Sequence, residues 1–478
     1  MQANPIIRRY RFSQFRLQQV GVFGAVYAGL VVLILFINSS IYLYGHAYPT
    51  QAHLYKGIFV QFAVLEVFLL WLLCPGNCST VVSREIVDKS FDFSRMLPLR
   101  ASQKAAGILI GRNLFYLSIG VINLGLCLGF GFAAELPTAL ILQLLAALLA
   151  LAVMLNVLAL MFSVLSFKKT KTNSFVVLLV IGFFAFGPLM GIIYEVVYES
   201  TLEETNAYFY TFAIPVVYLI AVYALFFAAW AYIGVLRRFT YEYEALFSRL
   251  GAGLFMLTFM AMLGGLFYVY LLENGSDAIR GFWVLGLLPV AVVPLFAIRD
   301  FGQYLEISRA AHRLRGLGGR LMMNSNIVGG VVLFAIWLVF GGAACFAAEA
   351  DRGEFLWLAI LTFSFLLVLL ALLETYALWR PINEKIGYLL GFFAVLYGIL
   401  PLILGSIFEN EVVYLFSPFG ILSIFDEFYD TTTLLMPIVF NLICLVLLGL
   451  LIAKRYRDLI EIRSDMDKNL KSELLMNL

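Results

Sequence analysis

The sequence has little charge for its length. Only 13% of its 478 residues are Asp, Glu, Lys or Arg, and 63% are hydrophobic. A water-soluble domain of this composition would expose large apolar patches. The composition therefore excludes a soluble protein and indicates that lipid is the solvent. The net charge of +2 also lacks the basic excess of a nucleic-acid-binding protein.

Features typical of enzymes and secreted proteins are missing as well. The three histidines have no plausible catalytic partner set, and no metal site is predicted. The five cysteines are scattered and imply no disulfide framework. The close pair Cys74 and Cys78 is interpreted as buried or interfacial thiols. No GxxxxGK[ST] phosphate loop occurs, so the chain cannot hold nucleotide phosphates by that route.

Long apolar windows recur through the whole chain. A transmembrane helix needs roughly 20 apolar residues to cross about 30 Å of hydrocarbon. Such windows predict an all-α polytopic bundle of about twelve spans. The predicted limits are 20–44, 56–74, 112–133, 138–166, 174–198, 212–236, 250–272, 281–298, 327–348, 355–379, 386–408 and 431–453.

The positions of Lys and Arg predict the orientation of these spans, because cationic side chains are retained on the cytoplasmic side during insertion. With the N-terminus inside, the inner segments hold 29 of the 32 basic residues. The three in outer loops are Lys56, Arg280 and Arg352. Both termini are therefore predicted to be cytoplasmic.

The chain also resembles a duplication, since each half has six predicted spans and its longest inner loop between the second and third. Because six is even, the halves would run parallel, related by an axis along the membrane normal. The predicted parts are a cytoplasmic interfacial helix (1–19), a first half (20–239) with inner loop 76–110, a second half (240–457) with inner loop 299–325, and a cytoplasmic tail (458–478).

The inner loop 76–110 carries most of the functional inference. Ser83 is expected to cap a helix with Glu85 in its first turn, where the helix dipole favours negative charge. Apolar and charged residues interleave as far as Met96, as in a helix at the membrane surface. Pro98 is expected to end that helix, and a second helical stretch to start near Ala101. A helix that only anchors the bundle fits this composition too.

This loop resembles the first inner loop of the permease subunits of type-2 ATP-binding-cassette (ABC) exporters. That loop has an acidic and basic pair, a short amphipathic helix, a Pro-Leu step, and then a lysine and a glycine. The matching residues are Arg84, Glu85, Asp92, Phe93, Leu97, Pro98, Leu99, Lys104 and Gly107. The N-terminal stretch is similar to the family's amphipathic entry helix along the inner surface. The resemblance covers the first half well and the second half in layout.

In that family the loop forms a coupling helix that docks onto a separate ATPase. The resemblance implies a permease subunit that is not itself an enzyme, in a bacterial cytoplasmic (inner) membrane, surrounded by lipid. It implies export driven by ATP and Mg on a partner ATPase dimer, with no cofactor in this chain.

Family members usually have six spans and dimerise, so this chain would be a fused or duplicated pseudo-dimer. Its second inner loop lacks the Pro-Leu step and the lysine. Glu306 and Arg309 would then form a degenerate second coupling loop. Alternatively, one half keeps the coupling role, and a second permease copy or another membrane subunit associates.

Glu66 is the intramembrane residue of greatest interest, because a carboxylate inside a span is costly unless it is paired, neutral or facing water. It is expected either to be buried against polar partners such as Asn38 or Asn123, or to line a substrate path. A second hypothesis is an ion-gradient-driven secondary transporter with Glu66 as proton relay, and a third is a membrane assembly subunit that transports nothing. Glu374 is expected nearer the inner interface and less buried.

Overall fold

The computed structural model describes residues 4–44, 50–87, 96–165, 206–240, 245–273, 275–297, 323–347, 352–379, 415–417 and 431–476, with isolated positions 191, 304, 395, 397, 401, 403, 407 and 413. Nine helices in these ranges are long and apolar enough to cross a bilayer, and a shorter apolar helix covers Ala278–Pro294. The protein is therefore an integral membrane protein with a polytopic helical bundle. Of the twelve predicted spans, ten coincide with these helices. The other two, 174–198 and 386–408, fall almost wholly outside the described residues.

The elements are, in chain order, α1 (Pro5–Gln14), α2 (Leu17–Tyr44), α3 (Gln51–Val67), a π-helical segment (Phe68–Leu73), α4 (Cys74–Cys78), α5 (Val81–Val87), α6 (Ala101–Ala133), α7 (Thr138–Leu165), β1 (Asn206–Phe209), β2 (Phe212–Pro215), α8 (Val216–Thr240), α9 (Arg249–Glu273), α10 (Gly275–Phe296), α11 (Asn326–Ala347), α12 (Arg352–Trp379) and α13 (Thr431–Met476). They form two compact units. The first comprises Met1–Ala207 and Ala213–Glu242, and the second Tyr208–Phe212 and Tyr243–Leu478.

Helix α7 forms the centre of the first unit. Most of its apolar residues are buried, and it packs along α8. Small side chains such as Ala147 and Ala159 have no accessible surface, which lets neighbouring helices approach closely. Helix α2, in contrast, has no buried residue in its most apolar window. Helix α7 is therefore enclosed by protein, whereas α2 lies at the periphery of the first unit.

The second span is longer than predicted. Its helix continues from Gln51 through the π-helical segment to Cys78, whereas the predicted span ends at residue 74. The π-helical turns lie directly before Pro75, which has no amide hydrogen to donate. Trp71 fixes this part of the helix by donating its indole N–H to the carbonyl oxygen of Leu148, 3.0 Å away.

Helix α1 begins where Asn4 caps it, since the Asn4 side chain accepts a hydrogen bond from the Ile6 amide at 3.0 Å. It then follows the start of α6 rather than standing apart from the bundle. Asn4 donates to the carbonyl of Gln103 at 2.7 Å, and Gln14 bonds the backbone at Arg112. The two contacts have nearly equal sequence separations, 99 and 98 residues. Helices α1 and α6 are therefore parallel, a packing that the expectation of an entry helix along the inner surface did not include.

Two glycines on α6 permit this packing. A Cβ atom at Gly107 would lie 3.0 Å from the Cβ of Ile6, and one at Gly111 would lie 2.8 Å from the Tyr10 ring. Ile6 and Tyr10 are the buried residues of α1. Because both pairs are spaced by four residues, one face of α1 fits onto the glycine face of α6.

The second unit contains α9 to α13 and has a tryptophan-rich core. Trp283 and Trp337 have no accessible surface. Trp283 donates its indole N–H to the carbonyl of Gly341, and Trp337 donates to the carbonyl of Trp283, at 3.2 and 3.1 Å. Phe355 packs against both indole rings. These bonds satisfy the only polar atom of each tryptophan side chain.

Helix α13 extends well past the predicted end of the last span at residue 453. It continues without interruption to Met476, through much of the predicted tail 458–478. The chain has no Gly or Pro after Gly449 that would end the helix. Its 46 residues would span about 69 Å, more than twice the thickness of the hydrocarbon layer.

Helices that follow one another among the described spans pack together in both units. In the first unit α2 packs on α3, α3 on α6, α6 on α7 and α7 on α8. In the second unit α9 packs on α10, α10 on α11, α11 on α12 and α12 on α13. These helices hold the first, second, third, fourth and sixth places in the two predicted halves. The other pairs differ, since α6 also packs on α8 in the first unit, and α9 on α11 in the second. The duplication inferred from the sequence stays a prediction.

A short hairpin interrupts the helical structure where the sequence predicts a span from residue 212. Strands β1 and β2 pair here, and α8 begins only at Val216. Tyr210 at the turn has a positive φ of 53°, which is uncommon for a residue with a side chain. Its amide donates to the carbonyl of Gly265 and its hydroxyl to that of Ala261, so α9 holds the turn in this conformation.

Replacing Gly111 with leucine should separate α1 from α6, because the new side chain occupies the space of the Tyr10 ring. We expect a loss of roughly 1–3 kcal/mol in unfolding free energy and faster tryptic cleavage after Arg8 and Arg11. Gly125→Leu is the matched control, since nothing lies within 4 Å of a Cβ at that position of the same helix. Equal tryptic cleavage rates in the two variants would contradict the packing role of Gly111.

Candidate functional site

The predicted coupling segment begins with the short helix α5. It starts at Val81, so Ser83 lies inside the helix, and the prediction that Ser83 caps it was wrong. The first turn is instead held from outside, because the Val82 amide donates to the Ser163 hydroxyl oxygen of α7 at 3.0 Å. Val81 and Val82 are buried. Helix α5 is thus fastened directly to the central helix of the first unit.

The acidic and basic pair on α5 is divided between the interior and the surface. Arg84 is exposed, whereas Glu85 is only 8% exposed. Glu85 accepts a hydrogen bond from the Tyr10 hydroxyl at 2.7 Å, and an Arg9 guanidinium nitrogen lies 3.5 Å from the same carboxylate oxygen. Glu85 therefore joins α5 to α1, and Arg84 is the member of the pair that a docking protein would reach.

Tyr10 is suited to this role because it keeps its proton. Burial raises the pKa of the Tyr10 phenol above its usual range, and the negative charge of Glu85 raises it further. Near neutral pH the phenol is consequently a hydrogen-bond donor to the carboxylate. The result is a buried contact between two segments that are 75 residues apart in the chain.

The Pro-Leu step is on the surface. Met96 is 81% exposed, Pro98 is exposed and Leu99 is half-buried. Helix α6 starts at Ala101, as predicted, and Gln103 caps it by accepting a hydrogen bond from the Arg100 amide at 3.1 Å. Lys104 follows in the first turn and is half-buried. Four further predicted site residues lie outside the described residues: Asp92, Phe93, Glu306 and Arg309.

Glu66 is enclosed in the first unit, with 0% of its surface exposed. One carboxylate oxygen, Oε2, accepts a hydrogen bond from the Asn123 amide group at 2.8 Å. Asn123 also donates to the Phe62 carbonyl and accepts from the Tyr27 hydroxyl, at 2.9 and 3.2 Å. Of the two partners expected for Glu66, Asn123 is confirmed, whereas Asn38 bonds Gln61 at 2.7 Å.

The other oxygen of Glu66, Oε1, has no hydrogen-bond partner within the part of the chain that the structure describes. The carboxyl group lies against Gly120, where even a Cβ atom would approach Oε1 to 3.1 Å. An unpartnered polar atom in such a position is expensive in hydrocarbon. A proton on Oε1 would remove the charge of Glu66 and with it most of this cost.

A second polar cluster lies one to three turns further along the same helix, at the π-helical segment and α4. Asn113 donates to Asn156 and to the Cys78 sulfur at 3.0 and 3.1 Å. Asn156 in turn donates to the carbonyl of Leu70, which belongs to the π-helical segment. Cys74 and Cys78 are free and buried, which confirms the interpretation of this pair as buried thiols.

Glu374 in the second unit is also fully buried, and the expectation that it is less buried than Glu66 was wrong. Its carboxylate accepts hydrogen bonds from the Tyr304 and Tyr456 hydroxyls at 2.6 and 2.5 Å. It also accepts from the Asn326 amide, the first of α11, at 2.9 Å. The negative charge lies at the positive end of a helix dipole. All three donors are distant in sequence, so spacing gave no signal for this site.

Glu374→Ala should destabilise the second unit, because it removes the acceptor of the buried Tyr304 hydroxyl, the buried Asn326 amide and the half-buried Tyr456 hydroxyl. We expect a cost of about 3 kcal/mol or more. The matched control is Glu354→Ala, which breaks only the partly exposed pair with Arg280 and should cost less than about 1 kcal/mol. Heating with a dye that becomes fluorescent on reaction with thiols reports unfolding, since four of the five cysteines are buried. Equal thermal midpoints for both variants would count against the role assigned to Glu374.

Comparisons of the chain with protein-family models, with curated proteins and with solved structures found no match.

Proposed function

We propose that this chain is the permease subunit of an ABC-type exporter, driven by ATP hydrolysed on a separate ATPase dimer. The observation that carries the proposal is the arrangement of α5. Its exposed Arg84 is next to Glu85, which is buried against Tyr10. A protein docking onto α5 would thereby act on a helix that is connected to the membrane-spanning part of the chain.

Two contacts supply that connection. Glu85 joins α5 to α1, and α1 packs along the start of α6 through Gly107 and Gly111. The Val82 amide joins α5 to Ser163 of α7. Force applied at α5 would therefore reach α6 and α7 without an intervening loop, as rigid-body gating requires.

The proposal includes a membrane topology and a location. Twelve spans would form two parallel six-span halves with both termini in the cytoplasm, in a bacterial cytoplasmic membrane. The packing of consecutive helices on one another in both units supports the duplication. In this arrangement one chain supplies both halves of the permease, and it needs no ATP-binding residues of its own.

The first test is an affinity purification from the native membrane in mild detergent, followed by mass spectrometry and an ATPase assay. The unmodified chain should retain an ABC ATPase in stoichiometric amount. Arg84→Glu should reduce that retention at least about tenfold, corresponding to about 1.4 kcal/mol of binding energy. Pro98→Ala should also weaken retention, because it frees the backbone of the exposed turn.

Arg457→Glu is the control for this test, because Arg457 is an exposed arginine near the predicted inner end of α13. It should retain the ATPase at the unmodified level. Recovery of the chain without any ATPase would contradict the exporter proposal. Full retention by both Arg84→Glu and Pro98→Ala would instead contradict the assignment of α5 and Pro98 as the coupling site.

A secondary transporter driven by an ion gradient is the second candidate function, and Glu66 is the observation that favours it. Its carboxyl group is fully buried, and Oε1 lacks a partner in the described residues. A carboxyl group that alternately holds and releases a proton is the usual element of proton coupling within a membrane. This function needs no second protein.

Glu66→Gln distinguishes the two functions, because glutamine keeps the size and the contact with Asn123 but cannot release a proton. Purified chain in proteoliposomes, without ATPase, is supplied with the small-molecule fraction of the native cytoplasm, and an entrapped pH dye follows proton movement. A carrier should move protons in the unmodified chain and in Glu354→Gln, but not in Glu66→Gln. Absence of proton movement in the unmodified chain would argue against the carrier.

A further inference from the structure

The outer face of α1 combines arginine and phenylalanine. Successive residues of an α-helix are about 100° apart, so Arg8, Arg11 and Phe12 lie opposite the buried residues Ile6 and Tyr10. All three are exposed, and Phe12 is 64% exposed. Arg16, also exposed, lies two residues after the end of the helix. We name this set the outer face of α1.

No acidic residue of its own segment neutralises this face. Glu66 is the first Asp or Glu in the chain, so residues 1–65 contain arginines and lysine but no carboxylate side chain. Glu85 is close to Arg9, on another side of the helix. Among the described side-chain contacts, the outer face has only that of the Arg11 guanidinium with the Phe12 ring, at 5.3 Å.

The outer face is also close to the hydrocarbon boundary. The apolar part of the first span begins at Val20, four residues after Arg16 and eight after Phe12. At 1.5 Å per helical residue Arg16 and Phe12 are about 6 and 12 Å from the boundary, and Arg11 and Arg8 are about 14 and 18 Å from it. The headgroup layer of one leaflet is roughly 5–8 Å thick. Arg16 is therefore at the depth of the lipid phosphates, and Arg11 and Arg8 lie on the aqueous side of that layer.

From this placement we propose that the outer face of α1 is a binding site for anionic phospholipid headgroups of the adjacent leaflet. The guanidinium groups of Arg8, Arg11 and Arg16 would pair with headgroup phosphates, and a guanidinium forms two parallel hydrogen bonds with such a group. Phe12 would insert at the interface, where aromatic side chains are favoured. Unlike the permease assignment, this site does not depend on a partner ATPase.

The same helix would then transmit the lipid's effect to the bundle. Its inner face carries Tyr10, which holds Glu85, and Ile6, which packs on α6. Anionic lipid bound to the outer face would favour the packed position of α1. Loss of that lipid would free α1 and with it the contact that orients α5.

The test uses the full chain in nanodiscs with Phe12→Trp as a local fluorescent probe. Brominated phosphatidylglycerol or brominated phosphatidylcholine is titrated into unlabelled phosphatidylcholine, and quenching of the six native tryptophans in the unmodified chain is subtracted. Phosphatidylglycerol should half-quench the introduced indole at a mole fraction at least about tenfold lower than phosphatidylcholine. Each basic residue near an anionic surface contributes about fivefold. High salt should reduce the difference.

Two triple variants in the probe background assign the effect. Arg8→Gln with Arg11→Gln and Arg16→Gln should abolish the preference for phosphatidylglycerol. The control, Arg100→Gln with Lys454→Gln and Arg457→Gln, removes the same charge from exposed positions near the predicted inner surface and should change the preference less than twofold. A second measurement counts the phosphatidylglycerol molecules retained per chain by native mass spectrometry, with Phe12 unchanged, and should show the same ranking.

Three outcomes would overturn the proposal. Equal quenching by the two lipids would show that net headgroup charge is not recognised. Equal loss in both triple variants would show a general surface-charge effect instead of a site. Absence of quenching by either lipid, with loss of a co-purifying protein in the Arg8, Arg11 and Arg16 variant, would show that the outer face binds protein.

Discussion

A polar group inside the hydrocarbon has no water to bond, so it must find its partner within the protein. This constraint decides which helices are neighbours in both units. Asn123 of α6 supplies the bond to Glu66 of α3, and Asn156 of α7 bonds the Leu70 carbonyl of the π-helical segment. Glu374 collects donors from three other parts of the chain. Each of these hydrogen bonds therefore specifies one pair of helices. Apolar contacts alone would allow several alternative pairs.

At the predicted cytoplasmic end of the first unit, a buried polar group also has its partner within the protein. Glu85 is removed from solvent by Tyr10, so the carboxylate of the predicted coupling pair stabilises the bundle and leaves Arg84 at the surface. Helix α1 gains a buried face through the glycines of α6 and keeps an arginine-rich face outside. The anchoring contacts, the proposed coupling site and the proposed lipid site thus share short helices, so a change in one should affect the others.

The sequence predicted the features that depend on local composition. Ten helices lie where apolar windows predict them, α6 starts at the predicted Ala101, and Cys74 and Cys78 are buried thiols. It missed features that depend on distant partners. Ser83 fits the local pattern of a helix cap, but the partner of the first turn is Ser163, 81 residues away from Val82. The parallel packing of α1 depends on contacts with residues 98 and 99 positions later.

Glu66 and Glu374 show the division most clearly. The sequence by itself determined that the chain is dissolved in lipid and where its apolar helices lie, because partition into hydrocarbon is nearly additive over neighbouring residues. Only the tertiary structure decided that Glu374 is fully satisfied while one oxygen of Glu66 lacks a partner in the described residues. Hydrogen bonding requires atoms from separate helices to meet within about 3 Å. Whether they meet depends on how the helices pack, and a local pattern of residues does not determine that packing.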